Sequence, residues 1–220
     1  LWHNERVFRL TETRFSELLS EFAEPERIAN SLLEVEKKNL GLYGYGAKGF
    51  TLSLVETAIS LTDGKIDARA IGQILAWGRD IMCHPVEPLP HVRETLTALQ
   101  DQFELILITK GDLFDQERKL AESGLADFFN GVEIVSEKTV DTYRQVFSRH
   151  GLGADRAIMV GNSLRSDILP ALDAGSWGVY VPYETTWALE VAEEPEGCDR
   201  YRRLGHVGEL DTLVARFLEE

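Results

Sequence analysis

The spacing of hydrophobic residues divides the chain into two parts of different character. From the start to about residue 85, apolar residues recur three or four positions apart, as in the segment RFSELLSEFA, and this spacing is typical of amphipathic helices. Four such segments follow one another with short links rich in turn-forming residues, and Asp67 is suited to cap the fourth. The pattern predicts an all-helical bundle over residues 1–85.

After residue 85 the pattern changes to an alternation of strands and helices. Short apolar runs rich in β-branched residues, such as ELILIT and AIMVG, are separated by segments with helical spacing. Strands connected in this way usually lie parallel, because the helix carries the chain back across the sheet. Residues 86–220 are therefore predicted to form an α/β core with a doubly wound, Rossmann-like parallel sheet.

Composition and charge exclude several classes of partner. The 220-residue chain carries a formal charge of −14, which argues against binding to nucleic acid or to an anionic membrane surface, because like charges repel. No apolar run approaches the roughly 18 residues of a membrane span. Cys83 and Cys198 have neither a CxxC nor a metal-ligand spacing, and they favour a reducing, cytoplasmic location. The pattern does not specify an oligomeric state.

Polar residues follow three strands of the predicted sheet at the points where the strands end. Because the carboxyl ends of parallel strands lie at one edge of a sheet, we expect these residues to share that edge. Each of them alone has a structural explanation, as a helix cap, a solvated lysine or a partner of a helix dipole. Their combination on one edge favours a functional site. The residues are Thr109, Lys110 and Gly111 after the first strand, Lys138 after the second, and Asn162 and Asp167 after the third.

These side chains suit the chemistry of phosphoryl transfer. A hydroxyl, a glycine N–H and lysine ammonium groups can bind phosphoryl oxygens, which predicts phosphate binding at Thr109 to Gly111 and at Lys138. The oxygens of Asp167 and Asn162 are ligands that Mg²⁺ accepts. Thr109 and Lys138 are therefore the candidate catalytic residues, and Mg²⁺ is the expected cofactor. The set lacks a nucleophile.

The three strand ends resemble motifs of the haloacid dehalogenase-like hydrolase superfamily. LITKGD, SEKT and GNSLRSD are similar, in this order, to the second, third and fourth motifs of its phosphatase branch with a helical C1 cap. The resemblance covers nearly the whole chain. It implies that the helical domain is a cap, and that a small phosphorylated metabolite is hydrolysed through an aspartyl phosphate with Mg²⁺.

Two features depart from the family pattern. The first motif, Asp-x-Asp, does not occur before residue 85, and Leu1-Trp2 resembles the residues that follow it. The resemblance therefore implies that the nucleophilic aspartate and a central strand lie upstream of Leu1. Asn162 stands where many members carry Asp, so the metal site is less negative, and Asn162 either binds the metal through its oxygen or orients a metal-bound water.

The segment LGLYGYGAKGF is the candidate for substrate contact from the cap. Its glycines permit close approach of the backbone, and Tyr43, Tyr45 and Lys48 offer aromatic and cationic groups. The alternative is a flexible turn between two helices of the bundle.

Three other functions compete with a phosphatase. A dehalogenase of the same superfamily uses the same aspartate and needs no metal, but the carboxylate at Asp167 favours the phosphatase. A degenerate family member would only bind its ligand. Receiver domains also combine an aspartate, a hydroxyl and a lysine on a doubly wound sheet, but they are shorter and uncapped, and their acidic ligands precede the hydroxyl.

Overall fold

The computed structural model describes residues 1–3, 5–183 and 187–219. The chain divides into two compact units. An α/β unit contains residues 1–3, 87–109 and 120–220, and a helical unit contains residues 4–86 and 110–119. The segment 110–119 therefore groups with the helical unit, although it follows the first strand of the α/β core.

The first four helices form the body of the helical unit. They are α1 (Glu5–Leu18), α2 (Pro25–Tyr43), α3 (Ala47–Leu61) and α4 (Ala68–Met82). The predicted cap of α4 is confirmed, since the Asp67 side chain accepts a hydrogen bond from the Ala70 N–H at 2.7 Å. The apolar faces of the four helices meet in one core that includes Phe15, Leu32, Leu54, Ile74 and Trp77.

The connection between α2 and α3 is shorter than the glycine-rich sequence suggested. Helix α2 continues to Tyr43 and α3 begins at Ala47, so only residues 44–46 lie between the helices. Gly44 and Gly46 have positive φ angles of 71° and 111°, which glycine adopts without strain. Tyr43 and Lys48 are consequently helical residues, and Tyr45 alone of the three candidates lies in the connection.

The α/β fold predicted from the sequence is confirmed. The helices and strands after residue 86 are α5 (Val92–Leu99), β1 (Ile106–Lys110), α6 (Leu113–Ser123), β2 (Gly131–Val135), α7 (Val140–His150), β3 (Ile158–Gly161), α8 (Leu169–Asp173), β4 (Trp177–Tyr180), β5 (Tyr201–Arg203) and α9 (Leu210–Glu219). A π-helical turn, Leu164–Ile168, directly precedes α8. None of the helices in the described part of the chain combines the length and the hydropathy needed to cross a bilayer.

The strands of the described residues form two sheets instead of one. β1 pairs with β2, and β3, β4 and β5 form a three-stranded sheet in that order. β4 lies parallel to both of its neighbours, with Val160 opposite Val179 and Val179 opposite Arg202. Ile108 of β1 and Met159 of β3 pack into the same apolar cluster on α7 and α8. Both sheets are therefore anchored to one layer of helices.

Candidate active site

Two of the predicted site residues meet in a buried ion pair. Lys138 lies between the end of β2 and the start of α7, and Asp167 lies in the π-helical turn after β3. The Lys138 Nζ is 2.6 Å from Asp167 Oδ1, and the two side chains are only 10% and 7% exposed. The structure thus joins the third and fourth motifs through opposite charges that are largely removed from water.

The turn that carries Asp167 is shaped around that carboxylate. The Ser163 N–H donates to Asp167 Oδ2 at 3.0 Å, and the Ser163 hydroxyl accepts from the Ser166 N–H at 3.0 Å. The Ile168 N–H reaches the Ser163 carbonyl five residues earlier at 3.1 Å, which is the π-helical bond. A side chain at Gly161 would overlap the Asp167 carboxyl group, so glycine is required at the end of β3.

Tyr143 supports the same turn from α7. Pro170 has no N–H to donate to the Ser166 carbonyl, and the fully buried Tyr143 hydroxyl donates to that carbonyl at 3.0 Å. Burial raises the pKa of Tyr143 far above its ordinary value, and the charges of Asp167 and Glu190 raise it further. The hydroxyl therefore stays protonated and remains a donor.

The Leu1 nitrogen lies within electrostatic range of the ion pair. The charges of Asp167 and Lys138 both act on this nitrogen. A residue joined to the Leu1 nitrogen would therefore begin in the neighbourhood of the pair.

The other predicted residues of the α/β unit stand at strand ends. Thr109 is partly buried, one residue before the end of β1. Asn162 directly follows β3 and is exposed. In the described part of the chain, no cluster of three or more His, Cys, Asp or Glu side chains is placed to hold a metal.

The candidates of the helical unit are engaged with neighbours in that unit. Lys110 Nζ lies 3.9 Å from the centre of the Tyr45 ring, and Lys48 forms a 2.9 Å ion pair with Asp112. The hydrogen bond from Lys48 holds the pKa of Asp112 below its ordinary value.

Asp112 and Tyr43 also take part in helix contacts. Asp112 accepts from the Asp115 N–H at 3.1 Å and so caps α6. Tyr43 donates to Glu56 on α3 at 3.3 Å, and the negative charge of Glu56 raises the Tyr43 pKa.

Sequence reasoning missed two residues of the α/β unit, Tyr143 and Glu190. Neither residue belongs to a sequence motif, because only the fold brings each of them into contact with the Asp167 turn. Pro170 was the available signal for Tyr143, since a proline in a helix leaves a carbonyl that needs another donor. The sequence contains no comparable signal for Glu190.

Comparison with known proteins connects the chain to a hydrolase family. The profile of the haloacid dehalogenase-like hydrolases matches residues 5–175. The crystal structure of a haloacid dehalogenase-like family hydrolase from Xanthomonas campestris is 44% identical in sequence, has a TM-score of 0.87 and covers 98% of this chain and 86% of its own.

Two curated relatives have named activities. A glyceraldehyde 3-phosphate phosphatase from Methanothermobacter thermautotrophicus is 32% identical over 120 residues, which are 52% of this chain and 53% of the relative. The pyrimidine 5′-nucleotidase YjjG from Escherichia coli is 27% identical over 136 residues, which are 59% of this chain and 57% of the relative. The chain thus spans little more than half the length of these relatives.

Proposed function

The chain belongs to the haloacid dehalogenase-like hydrolase family, and on this basis we propose that it is a Mg²⁺-dependent phosphatase of a small phosphorylated metabolite. The observation that carries the proposal is the buried pair of Lys138 and Asp167 at the ends of β2 and β3. Two relatives with phosphatase or nucleotidase names support the same reaction class. With two free cysteines, we also expect a reducing, cytoplasmic location.

The donor groups fit Mg²⁺. This ion binds proteins through one or two carboxylates and keeps waters and substrate phosphate as its other ligands, so a three-residue cluster is not needed. Asp167 would hold it through its carboxylate, and Asn162 through its amide oxygen or through a water. The bound ion would neutralise part of the charge on the phosphoryl oxygens.

Lys138 and Thr109 bind the phosphoryl group in this proposal. Asp167 holds the Lys138 ammonium group in place at 2.6 Å, so little freedom is lost when the phosphate arrives. Thr109 donates its hydroxyl proton to a phosphoryl oxygen, and the backbone N–H of Gly111 and the charge of Lys110 follow it directly in the chain. These donors stabilise the charge that develops on the phosphoryl oxygens during transfer.

The nucleophile in the proposed mechanism is an aspartate upstream of Leu1. The position of the Leu1 nitrogen supports this placement, because a residue joined to it would begin within electrostatic range of Lys138 and Asp167. The aspartate oxygen would form a bond to phosphorus while the bond to the leaving oxygen breaks, and water would then hydrolyse the aspartyl phosphate. Trapping of a phosphorylated aspartate in the protein from the complete gene tests this step.

We propose that the helical unit is the cap of the enzyme. Tyr43, Tyr45 and Lys48 lie in or beside its glycine-rich connection, and their phenol hydroxyl and ammonium groups can donate hydrogen bonds to a polar, anionic substrate. Lys48 would exchange its exposed contact with Asp112 for the substrate, at small cost because exposed ion pairs are weak.

A substrate panel tests the proposed reaction. Protein from the complete gene is incubated with triose phosphates, sugar phosphates, pyrimidine nucleoside monophosphates and 2-chloropropionate, with Mg²⁺ or with a chelator. We expect phosphate release from at least one phosphomonoester, and only with Mg²⁺. Chloride release that does not depend on metal would instead identify a dehalogenase, and no turnover of any compound would favour a ligand-binding member.

A further inference from the structure

A short segment after β4 packs directly on the turn that carries Asp167. The Glu190 carboxylate accepts a hydrogen bond from the Ser163 hydroxyl, and Arg165 Nη1 donates to the Leu189 carbonyl at 3.1 Å. Residues 188–190 form a single 3₁₀ turn, which contains both of the residues that supply these acceptors. The segment is thus attached to the Asp167 turn at two points.

Ser163 connects Glu190 to Asp167. Its hydroxyl donates to Glu190 and accepts from the Ser166 N–H, while its own N–H donates to Asp167 Oδ2 at 3.0 Å. Ser163 and Asp167 are 8% and 5% exposed, so water has little access to replace these bonds. A change at Glu190 therefore reaches the Asp167 carboxylate through one intervening residue.

We propose that Glu190 is a positioning residue for Asp167, and the inference rests on the proposed function of Asp167 as metal ligand. Glu190 anchors Ser163 through its hydroxyl, and the backbone N–H of the anchored residue holds Asp167. The negative charge of Glu190 also lies next to Ser163, one residue along the chain from the neutral amide of Asn162. Glu190 thus supplies both orientation and charge to a site with a neutral amide at that position.

Two substitutions separate these contributions. Glu190→Gln keeps an oxygen that accepts from Ser163 and removes the charge, whereas Glu190→Ala removes both. Glu193, exposed and three residues further along, provides matched controls as Glu193→Gln and Glu193→Ala, which change the net charge equally. All variants are made in the protein from the complete gene, and thermal unfolding verifies that each is folded.

Binding of Mn²⁺, used as a paramagnetic probe for the Mg²⁺ site, is measured by electron paramagnetic resonance and does not depend on turnover. We expect Glu190→Ala to weaken Mn²⁺ binding by about ten- to a hundredfold, because the loss of a group that orients a metal ligand typically has an effect of this size. Glu190→Gln should weaken it less, and the Glu193 variants should bind as the wild type does. The Mg²⁺ concentration for half-maximal phosphate release should shift in the same order.

A double substitution tests the route through Ser163. If Glu190 acts through this residue, Ser163→Ala/Glu190→Ala should bind Mn²⁺ as Ser163→Ala alone does, and additive losses would overturn the route. Lower thermal stability of Glu190→Ala with unchanged Mn²⁺ affinity would show a purely structural role and overturn the inference. If the wild type releases phosphate with Mg²⁺ but the Glu190 and Glu193 variants behave alike, only the inference is overturned. A wild type that neither binds Mn²⁺ nor releases phosphate overturns the proposed function as well.

Discussion

Gly161 and Asp167 show how single residues define the site. Asp167 is buried against the end of β3, and it can lie there only because residue 161 has no side chain. The same carboxylate receives the Ser163 N–H and the Lys138 ammonium group. A buried carboxylate requires this compensation, because an unpaired charge in the interior is strongly destabilising.

Gly161→Ala should displace Asp167 and raise the Mg²⁺ concentration needed for phosphate release. The added methyl group overlaps the carboxyl group, and such overpacking typically costs about 1–3 kcal/mol in stability. Urea unfolding and a Mg²⁺ titration of activity measure the two effects. Gly41→Ala is the matched control, since a methyl group at this exposed helical position meets nothing within 4 Å. Equal Mg²⁺ titrations for both variants would contradict the role assigned to Gly161.

The sequence predicted single residues where polar groups interrupt an apolar pattern. Lys138 and Asp167 lie a few residues after the ends of β2 and β3, and the ends of parallel strands share an edge, so their meeting could be expected. Glu190 and Tyr143 were missed because their partners lie 27 and 23 residues away in the chain. Contacts at such separations depend on the fold and leave no local pattern.

At the scale of secondary structure, β2 and α7 together position Lys138 between them. Glu133 on β2 accepts hydrogen bonds from Arg149 and His150 at the end of α7, at 2.5 Å and 2.6 Å. The Thr139 side chain caps the start of α7 through the Thr142 N–H. Lys138 thus lies in a short connection between a strand and a helix that are joined by these hydrogen bonds.

The hydrogen bonds that Glu133 forms between β2 and α7 should weaken in acid. Burial by itself raises the Glu133 pKa, but the hydrogen bonds from His150 and Arg149 outweigh burial and leave it below the ordinary value. A carboxyl with a lowered pKa in the folded state stabilises the protein above its unfolded pKa of about 4.3 and loses this contribution as the pH falls through the folded pKa. The free energy of unfolding should therefore differ between wild type and Glu133→Gln at pH 7, and the difference should shrink below about pH 4. A difference that does not change with pH would contradict this assignment.

Some secondary-structure elements could not be predicted from the sequence pattern. β5 was missed because it has only three residues, two of them arginine, and it shows no apolar alternation. The helical segment after β3 is split into a π-helical turn and the short helix α8. Pro170 cannot donate the α-helical hydrogen bond there. Gly44 and Gly46 lie in the connection between α2 and α3, whereas Gly41 and Gly49 are helical, since the two helices extend into the glycine-rich segment.

For the molecule as a whole, net charge and local charge act in opposite directions. A chain with a charge of −14 repels an anionic metabolite at long range, but this repulsion is screened beyond about 8 Å at physiological ionic strength. Recognition of a phosphate therefore depends on cations close to it, among which we propose Lys138. The fold class followed from the alternation of strands and helices, whereas the two separate sheets depend on which strands pair.

The dependence of phosphate release on Mg²⁺, compared between wild type and Asp167→Asn, tests the central claim most directly. Protein from the complete gene is stripped of metal and titrated with Mg²⁺ on the best phosphomonoester of the panel. We predict no release without Mg²⁺, and a half-maximal Mg²⁺ concentration that rises more than about tenfold in Asp167→Asn. Equal release from wild type in the presence of a chelator, or identical titrations for the two proteins, would contradict the assignment of this site as a metal-dependent phosphatase centre.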